Sequence, residues 1–427
     1  MKKILLMMIC LLVIPFPARA DGTAQPGGPP LSLEKCLQLA FDHHPDLLAS
    51  VWQVRRAGSQ LELAKSSQRP TLDLGASFSD SEGAPRRSAS EISVRQLLTD
   101  GGKTRATIAG VTYDLSAIRK TAERTWQERA YTVKQAYFSL LRAREDASVA
   151  EETVALYEAQ LKQAQAFYKA GSSSKIDVTT AEVNLSRARF DLSKASSSVS
   201  SAWAVLENEI GTRLPDRNAV LEVPKERGLS VSSLDAAMEE AFSKRPDLRA
   251  AEDRVLSAKE SLRATARGMN PSLYASGGWG FSGSSSGWND EWTAGLSLSI
   301  PLADGGATAA RTEIARADLQ IAQSDRDSLR NAIRLEVEKA LLELETASQQ
   351  VKTAEEALRQ ARENLDLARG RYRVGVGTSL EVSDAAEKYS SARKSLVQAI
   401  YDRQVAAASL EKALGKPVEI PKEGTNG

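Results

Sequence analysis

The stretch Tyr372-Arg373-Val374-Gly375-Val376-Gly377-Thr378-Ser379-Leu380-Glu381-Val382-Ser383-Asp384 decides the fold. A glycine closes a long periodic run, and Thr378 with Glu381 has the capping-box pattern that opens a new helix. The chain therefore reverses here. The same reversal stands earlier as Tyr168-Lys169-Ala170-Gly171-Ser172-Ser173-Ser174-Lys175-Ile176-Asp177, a shift of 204 residues, with Asp177 as an imperfect last position of the box. Outward from the turns the doubling continues. Leu206-Glu207 with Gly211 recurs as Leu410-Glu411 with Gly415, and Asp100-Gly101-Gly102 recurs as Asp304-Gly305-Gly306. Further upstream, Pro45-Asp46-Leu47 recurs as Pro246-Asp247-Leu248 and Pro70 as Pro271, now at a shift of 201. A repeat this long is not a short-period solenoid. The chain reads as two copies of one layout, residues 32–215 and 231–418, joined by a linker at 216–230.

Each copy holds a long helix before its turn and a return helix after it. From Lys103 to Lys169 there is no proline and one interior glycine, Gly110; from Ala307 to Arg369 there is neither. At ~1.5 Å per residue such a helix is a rod of roughly 100 Å. Apolar residues step by three and four from Leu344 through Ala347, Val351 and Leu358 to Tyr372, and from Val178 through Leu185 and Leu192 to Leu206. That spacing marks antiparallel coiled coils, with alanines allowing close approach. The helices are expected at 103–169 and 175–210, and again at 306–373 and 379–414. Short helices precede them at Leu33–His43 and from Asp46 to about Gln68, and at Leu234–Lys244 and Asp247–Arg267, with Pro45 suited to a first helical position.

Between the short and long helices the period changes to two. Leu72, Leu74, Ala76 and Phe78 interleave with Asp73, Gly75, Ser77 and Ser79, and Ile92 and Val94 with Glu91, Ser93 and Arg95. Leu273, Ala275, Gly277, Trp279 and Phe281 alternate with Tyr274, Ser276, Gly278, Gly280 and Ser282; Trp292, Ala294, Leu296, Leu298 and Ile300 complete the set. Strands are expected at about 71–80, 90–98, 272–282 and 291–300. Each is long enough to cross a bilayer when tilted. The fold class is mainly α with a small β part. Asp100 and Asp304 suit helix capping, and Gly101, Gly102, Gly305 and Gly306 permit the sharp turn from strand to helix.

The ends and composition narrow the function. Lys2 and Lys3, the apolar run Ile4 to Ile14 and Ala18-Arg19-Ala20 read as a signal peptide over 1–20, followed by a Gly/Pro-rich leader at 21–31. Residues 419–427 read as a C-terminal tail. Cys36 is the only cysteine after the signal, so neither a disulfide nor a cysteine-rich metal site holds the fold. Net charge is +1 with 26% charged residues, which argues against a nucleic-acid partner. No later window is apolar enough for a membrane helix, which says nothing against membrane strands. Gly278-x-Gly280-x-x-Gly283 imitates a dinucleotide fingerprint but lies inside a strand. Gly102-Lys103-Thr104 lacks the upstream glycine of a P-loop, with Leu97 in its place. His43 and His44 are the only histidines and, being adjacent, do not share a helix face. No catalytic constellation and no cofactor site is expected.

The strands fit either a soluble hairpin on a helical body or a membrane span; if they span a membrane, four strands with free edges cannot stand alone in lipid, and copies must share a barrel. The ordered set Leu33-Glu34, His44-Pro45-Asp46-Leu47, Arg69-Pro70, Asp100-Gly101-Gly102 and Phe167-Tyr168-Lys169-Ala170-Gly171, with the second copies, resembles the TolC-like outer-membrane efflux family over about Leu31 to Val418. The resemblance implies a homotrimer with a barrel of twelve strands in outer-membrane lipid and an α-helical tunnel through the periplasm. It implies a passive exit duct for efflux or type I secretion. Its partners would be a periplasmic adaptor (membrane fusion) protein and an inner-membrane pump of the RND, ABC or a similar class. On the same resemblance Glu381 and Asp384, one helical turn apart, pinch the periplasmic end as a gate. The turns carrying Gly171, Ser172, Ser174, Gly375, Gly377 and Thr378 dock the adaptor. The alternative reading is a structural periplasmic coiled-coil protein without a pore.

Overall fold

The computed structural model describes residues 30–418 apart from 81, 83–85, 215, 218, 225–232 and 285–286. The signal peptide, most of the leader and the tail at 419–427 lie outside the described residues. The first copy runs α1 (Leu33–His43), α2 (Pro45–Ser66), β1 (Thr71–Ser79), β2 (Arg87–Thr99), α3 (Lys103–Lys169) and α4 (Lys175–Ile210). The second runs α5 (Leu234–Lys244), α6 (Pro246–Ala266), β3 (Ser272–Ser284), β4 (Gly287–Ser299), α7 (Ala307–Arg373) and α8 (Ser379–Ala413). Helices α3 and α7 are each 67 residues long.

The strands form one antiparallel sheet in the order β1-β2-β3-β4, so the two hairpins meet at β2 and β3. The register keeps one face apolar. Leu74 pairs with Ile92, Ile92 with Trp279 and Trp279 with Trp292, one row across all four strands. Leu72, Phe78, Trp292 and Leu296 on that face are exposed. The other face carries Asp73, Ser93, Gly278 and Thr293 in one row. Strands β2 and β4 begin three to four residues earlier than their apolar alternation suggests. Ser88 and Ser90 pair with Gly283 and Phe281 through the backbone, and a ladder needs no apolar side chain. Glycines in β3 stand where neighbours crowd in. A Cβ at Gly280 would lie 2.9 Å from the Ser90 carbonyl oxygen, and one at Gly283 2.5 Å from the Trp288 ring. The fingerprint-like glycines are thus explained by strand packing.

Helices α3 and α4 form one antiparallel pair and α7 and α8 the other, with α8 also lying along α3. Heptad positions such as Ala347, Val351, Leu365, Ala368 and Leu185 are buried in these seams. Two apolar clusters form a thickened belt at mid-height. The first joins α1, α3 and α4 around Tyr137, Trp203 and Leu206. The second joins α5, α7 and α8 around Ile333, Val337 and Leu410. A third cluster near the turns packs Leu365, Tyr372 and Val382 with Phe167 of the other pair. Among the described residues no helix is long and apolar enough to cross a membrane.

Candidate functional site

The strand-to-helix elbows are built alike in both copies. Gly101, Gly102, Gly305 and Gly306 all have positive φ. Asp100 accepts hydrogen bonds from Gly102 N–H (3.1 Å) and Thr104 N–H (2.8 Å), and Asp304 from Gly306 N–H (3.1 Å) and Thr308 N–H (2.7 Å). Each aspartate thus satisfies free donors at the start of a rod. The Thr308 hydroxyl and amide hold the Asp304 carboxyl below its ordinary range. The threonine four residues after each aspartate, Thr104 and Thr308, is the sequence mark of this elbow.

The reversals at the far end also share one design. Gly171 (φ +73°) and Gly375 (φ +78°) take the left-handed conformation that ends a helix. Ser172 N–H donates to Phe167 O at 3.0 Å and Val376 N–H to Arg371 O at 3.1 Å, which closes the same motif twice. Gly377 has a different reason to be small: a Cβ there would lie 3.0 Å from Arg371 Cβ. The caps then diverge. Ser174 N–H donates to Asp177 at 3.2 Å, and the Ser173 hydroxyl donates to the same carboxylate at 2.7 Å. In the second copy Thr378 Oγ1 accepts Glu381 N–H at 3.2 Å, while the Glu381 carboxylate turns to Arg371 Nε at 3.5 Å. One turn later Asp384 pairs with Lys388 at 2.8 Å. Glu381 and Asp384 are both exposed, and each has a basic neighbour on its own chain. Arg371 and Lys388 were not singled out from the sequence.

Polar side chains tie the two helix pairs together just above the turns. Gln160 of α3 donates to Ser383 Oγ of α8 at 2.8 Å, and Asn184 of α4 donates to the same oxygen at 3.1 Å. Thr153 and Ser390 share a hydroxyl contact at 2.9 Å, and Arg393 pairs with Glu152.

At mid-height the two histidines find a structural role. Gly211 ends α4 at φ +81°, and a Cβ there would lie 2.8 Å from His44 Cα. His44 is buried and its Nδ1 accepts Asp46 N–H at 3.2 Å, capping α2. His43 lies with Nδ1 3.0 Å from Leu39 O. Arg245 is the second-copy counterpart of His44, packed on Gly415 in the same way. It pairs with Asp247 (2.6 Å) and Glu336 (2.6 Å) and donates to Ala413 O (3.1 Å). Arg124 donates to Lys412 O at 3.0 Å, and Lys412 pairs with Glu336 at 3.1 Å.

A sheet with one bare apolar face and two unpaired edges, joined by glycine elbows to paired rods of roughly 100 Å, is one segment of a channel wall running from a membrane into the space beside it. Residues 36–212 and 237–416 match the family model described as outer membrane efflux protein, and the chain belongs to that family. The outer membrane efflux protein BepC of Brucella suis biovar 1 is 25% identical over 408 residues, covering 93% of this chain and 88% of that one. The outer membrane protein TolC of Vibrio cholerae is 24% identical over 406 residues, covering 90% of each. The open state of the MtrE outer membrane channel of Neisseria gonorrhoeae superimposes with a TM-score of 0.80 at 22% identity, covering 91% of this chain and 90% of that one. The protein is an outer-membrane channel of the kind used in tripartite efflux or secretion, and it extends into the periplasm. Members of the family are channels rather than enzymes and work with adaptor proteins and inner-membrane pumps. The pore-free coiled-coil reading is set aside.

Proposed function

We propose that three copies close into one passive duct, gated at Glu381 and Asp384 and docked at its turns by the hairpin tip of a periplasmic adaptor. The supporting observation is which contacts one chain lacks. Within the chain, β2 of the first copy pairs with β3 of the second, and α3 packs on both α6 and α8. The duplication calls for the reciprocal set, β4 with β1, α7 with α2 and α7 with α4. Among the described residues none of these is an extended contact within one chain. The elements concerned expose apolar side chains instead: Val51 and Trp52 on α2, Val183 and Phe190 on α4, Ile314, Ile321 and Leu335 on α7. A second copy supplies the missing partners, and the pattern continues until the ring closes. Three chains give twelve strands, enough to leave a lumen.

At the far end the exposed carboxylates of Glu381 and Asp384 meet round the axis and repel anions. The small turns, exposed at Gly171, Ser172, Ser174, Gly375 and Thr378 and half-buried at Gly377, leave room for a partner's backbone. The pump beyond the adaptor, of the RND, ABC or a similar class, supplies the energy. Detergent-purified protein is expected to sediment as a trimer and to give discrete, cation-selective conductance steps in a planar bilayer. A monodisperse monomer that inserts without conducting would overturn the reading. Separately, bulky substitutions at Gly171 or Gly375 that leave conductance intact should block adaptor capture.

A further inference from the structure

Beside the elbow of the first copy lies a groove of about 720 Å³, between the foot of β2, the start of α3 and the end of α6. Three arginines line it, Arg105 of α3 and Arg263 and Arg267 of α6, with Leu98 at its barrel end and one carboxylate, Glu260. Glu260 is paired with Arg263 at 2.6 Å. Arg267 donates to Gly102 O at 2.8 Å, which fixes it on the elbow. Arg105 is exposed and has no ion pair among the described residues. The elbow itself needs no such cluster. Asp304 builds the same turn with Ala309 in the place of Arg105, and the repeat sets Glu62 and Ser66 of α2 where Arg263 and Arg267 stand.

The groove opens on the outside of the wall. Ser284 pairs with Gly287 across a two-residue connection, and such a pair exchanges both backbone hydrogen bonds, so the even-numbered residues of β3 bond toward β4. With the odd-numbered, apolar face turned to lipid, the geometry of L-residues makes the order β1 to β4 clockwise seen from the extracellular end. Helix α6 then lies clockwise of α3, which runs down from the barrel. On α3 the side toward α6 carries Gly110, beside Ser257, and Lys120, paired with Asp253. A quarter-turn from it Arg105 and Ala109 face outward, and a quarter-turn the other way Lys103 and Asp114 face the passage. The same construction on α6 turns Arg263 and Arg267 outward and Arg254 inward. At this height α3 has both neighbours, α2 and α6, within its own chain, so a ring of copies leaves the groove uncovered.

We propose that the groove holds the phosphate of an anionic glycerophospholipid from the periplasmic leaflet of the outer membrane. It lies where the apolar face of the sheet ends, for Thr99, the last residue of β2, pairs with Leu273 of that face. Hydrocarbon gives way to headgroups at this height. Guanidinium groups fork onto phosphate oxygens. Arg267 is set in place by Gly102, and Arg105 brings a charge that nothing on the chain answers. The acyl chains run up past Leu98, 51% exposed, onto the apolar strands. The site is complete in one chain and needs only the outer-membrane placement, so its loss would leave the duct, the gate and the adaptor docking untouched.

The test is the melting temperature of the full protein in a neutral detergent, with phosphatidylglycerol, phosphatidylcholine or inorganic phosphate added at equal concentration. Phosphatidylglycerol is expected to raise it by roughly 2–4 °C more than phosphatidylcholine does, and inorganic phosphate to leave it unchanged. Arg105→Gln with Arg263→Gln should lose that difference. Lys103→Gln with Arg254→Gln, which removes as much charge from the passage side, should keep it. If the first double variant does not fold, Arg105→Gln alone, at an exposed and unpaired side chain, should lose at least half of the shift. Equal shifts from the two lipids would overturn the proposal, as would a full shift in the arginine variants or its loss in the passage-side variant. A shift reproduced by inorganic phosphate would assign the groove to a free anion and overturn the lipid.

Discussion

Arg245 is 2% exposed and meets Asp247, Glu336 and the Ala413 carbonyl. Removing it takes the main partner from two partly buried carboxylates, leaving Glu336 to Lys412 and Asp247 to Arg124 at 3.6 Å, so Arg245→Ala is expected to cost about 3 kcal/mol in thermal or denaturant unfolding. Burial pushes the carboxyls of Asp247 and Glu336 up, but Arg245, joined by Arg124 beside Asp247 and Lys412 beside Glu336, outweighs it and both finish below their ordinary values of 3.8 and 4.5. Groups lowered on folding stabilise above those ordinary values and stop doing so as the pH falls through the lowered ones. The wild-type melting temperature should therefore hold steady down to about pH 5 and drop below about pH 4, and Arg245→Ala should flatten that drop. Glycines give a paired test. Gly375 has open space around its missing Cβ, so Gly375→Ala meets only the left-handed backbone penalty, about 1–2 kcal/mol. Gly415→Ala meets that penalty and the Arg245 backbone 2.9 Å away, and should destabilise more on the same assay. The sequence made the glycines at Asp-Gly-Gly and Tyr-x-x-Gly legible, because a turn needs them locally. It did not reveal that His44 and Arg245 serve one structural position, since a histidine and an arginine share no chemistry beyond packing on a glycine.

The elements carry their own expectation. Trp292 sits on the apolar face of the sheet and Thr293, its neighbour, on the polar one. Trp292→Arg should cost about 2–4 kcal/mol of membrane stability, whereas Thr293→Arg should be tolerated. Heat-modifiable migration of outer-membrane fractions on gels checks both. The two long helices were readable over their whole length because proline is absent and heptads persist. The strands were readable where apolar residues alternate and not where serines begin β2, for there the ladder with β3 decides. Of the partners of the acidic pair, Arg371 was invisible. Arg371 lies before the turn and meets Glu381 only because the chain reverses, while Lys388 stands four residues after Asp384 on α8, a helical spacing the sequence carried.

In the whole assembly these cations alter what the acidic ring does. In the proposed ring of three copies, Arg371 and Lys388 would stand at the axis together with Glu381 and Asp384, and the ring would be less negative than its carboxylates suggest. Lys388→Gln with Arg371→Gln should raise cation over anion permeability on the order of twofold, and Glu381→Gln with Asp384→Asn should turn the preference toward anions. Reversal potentials across a salt gradient measure both. Unequal shifts would tell whether the basic neighbours face the passage. The unpaired outer edges of β1 and β4 have a consequence in genetics. No copy can complete its own wall, so a defective copy spoils the sound ones it joins. In the proposed ring of three, where half the copies made carry a faulty edge, roughly one ring in eight escapes them. Such alleles should behave as dominant, while alleles that abolish synthesis altogether should be recessive.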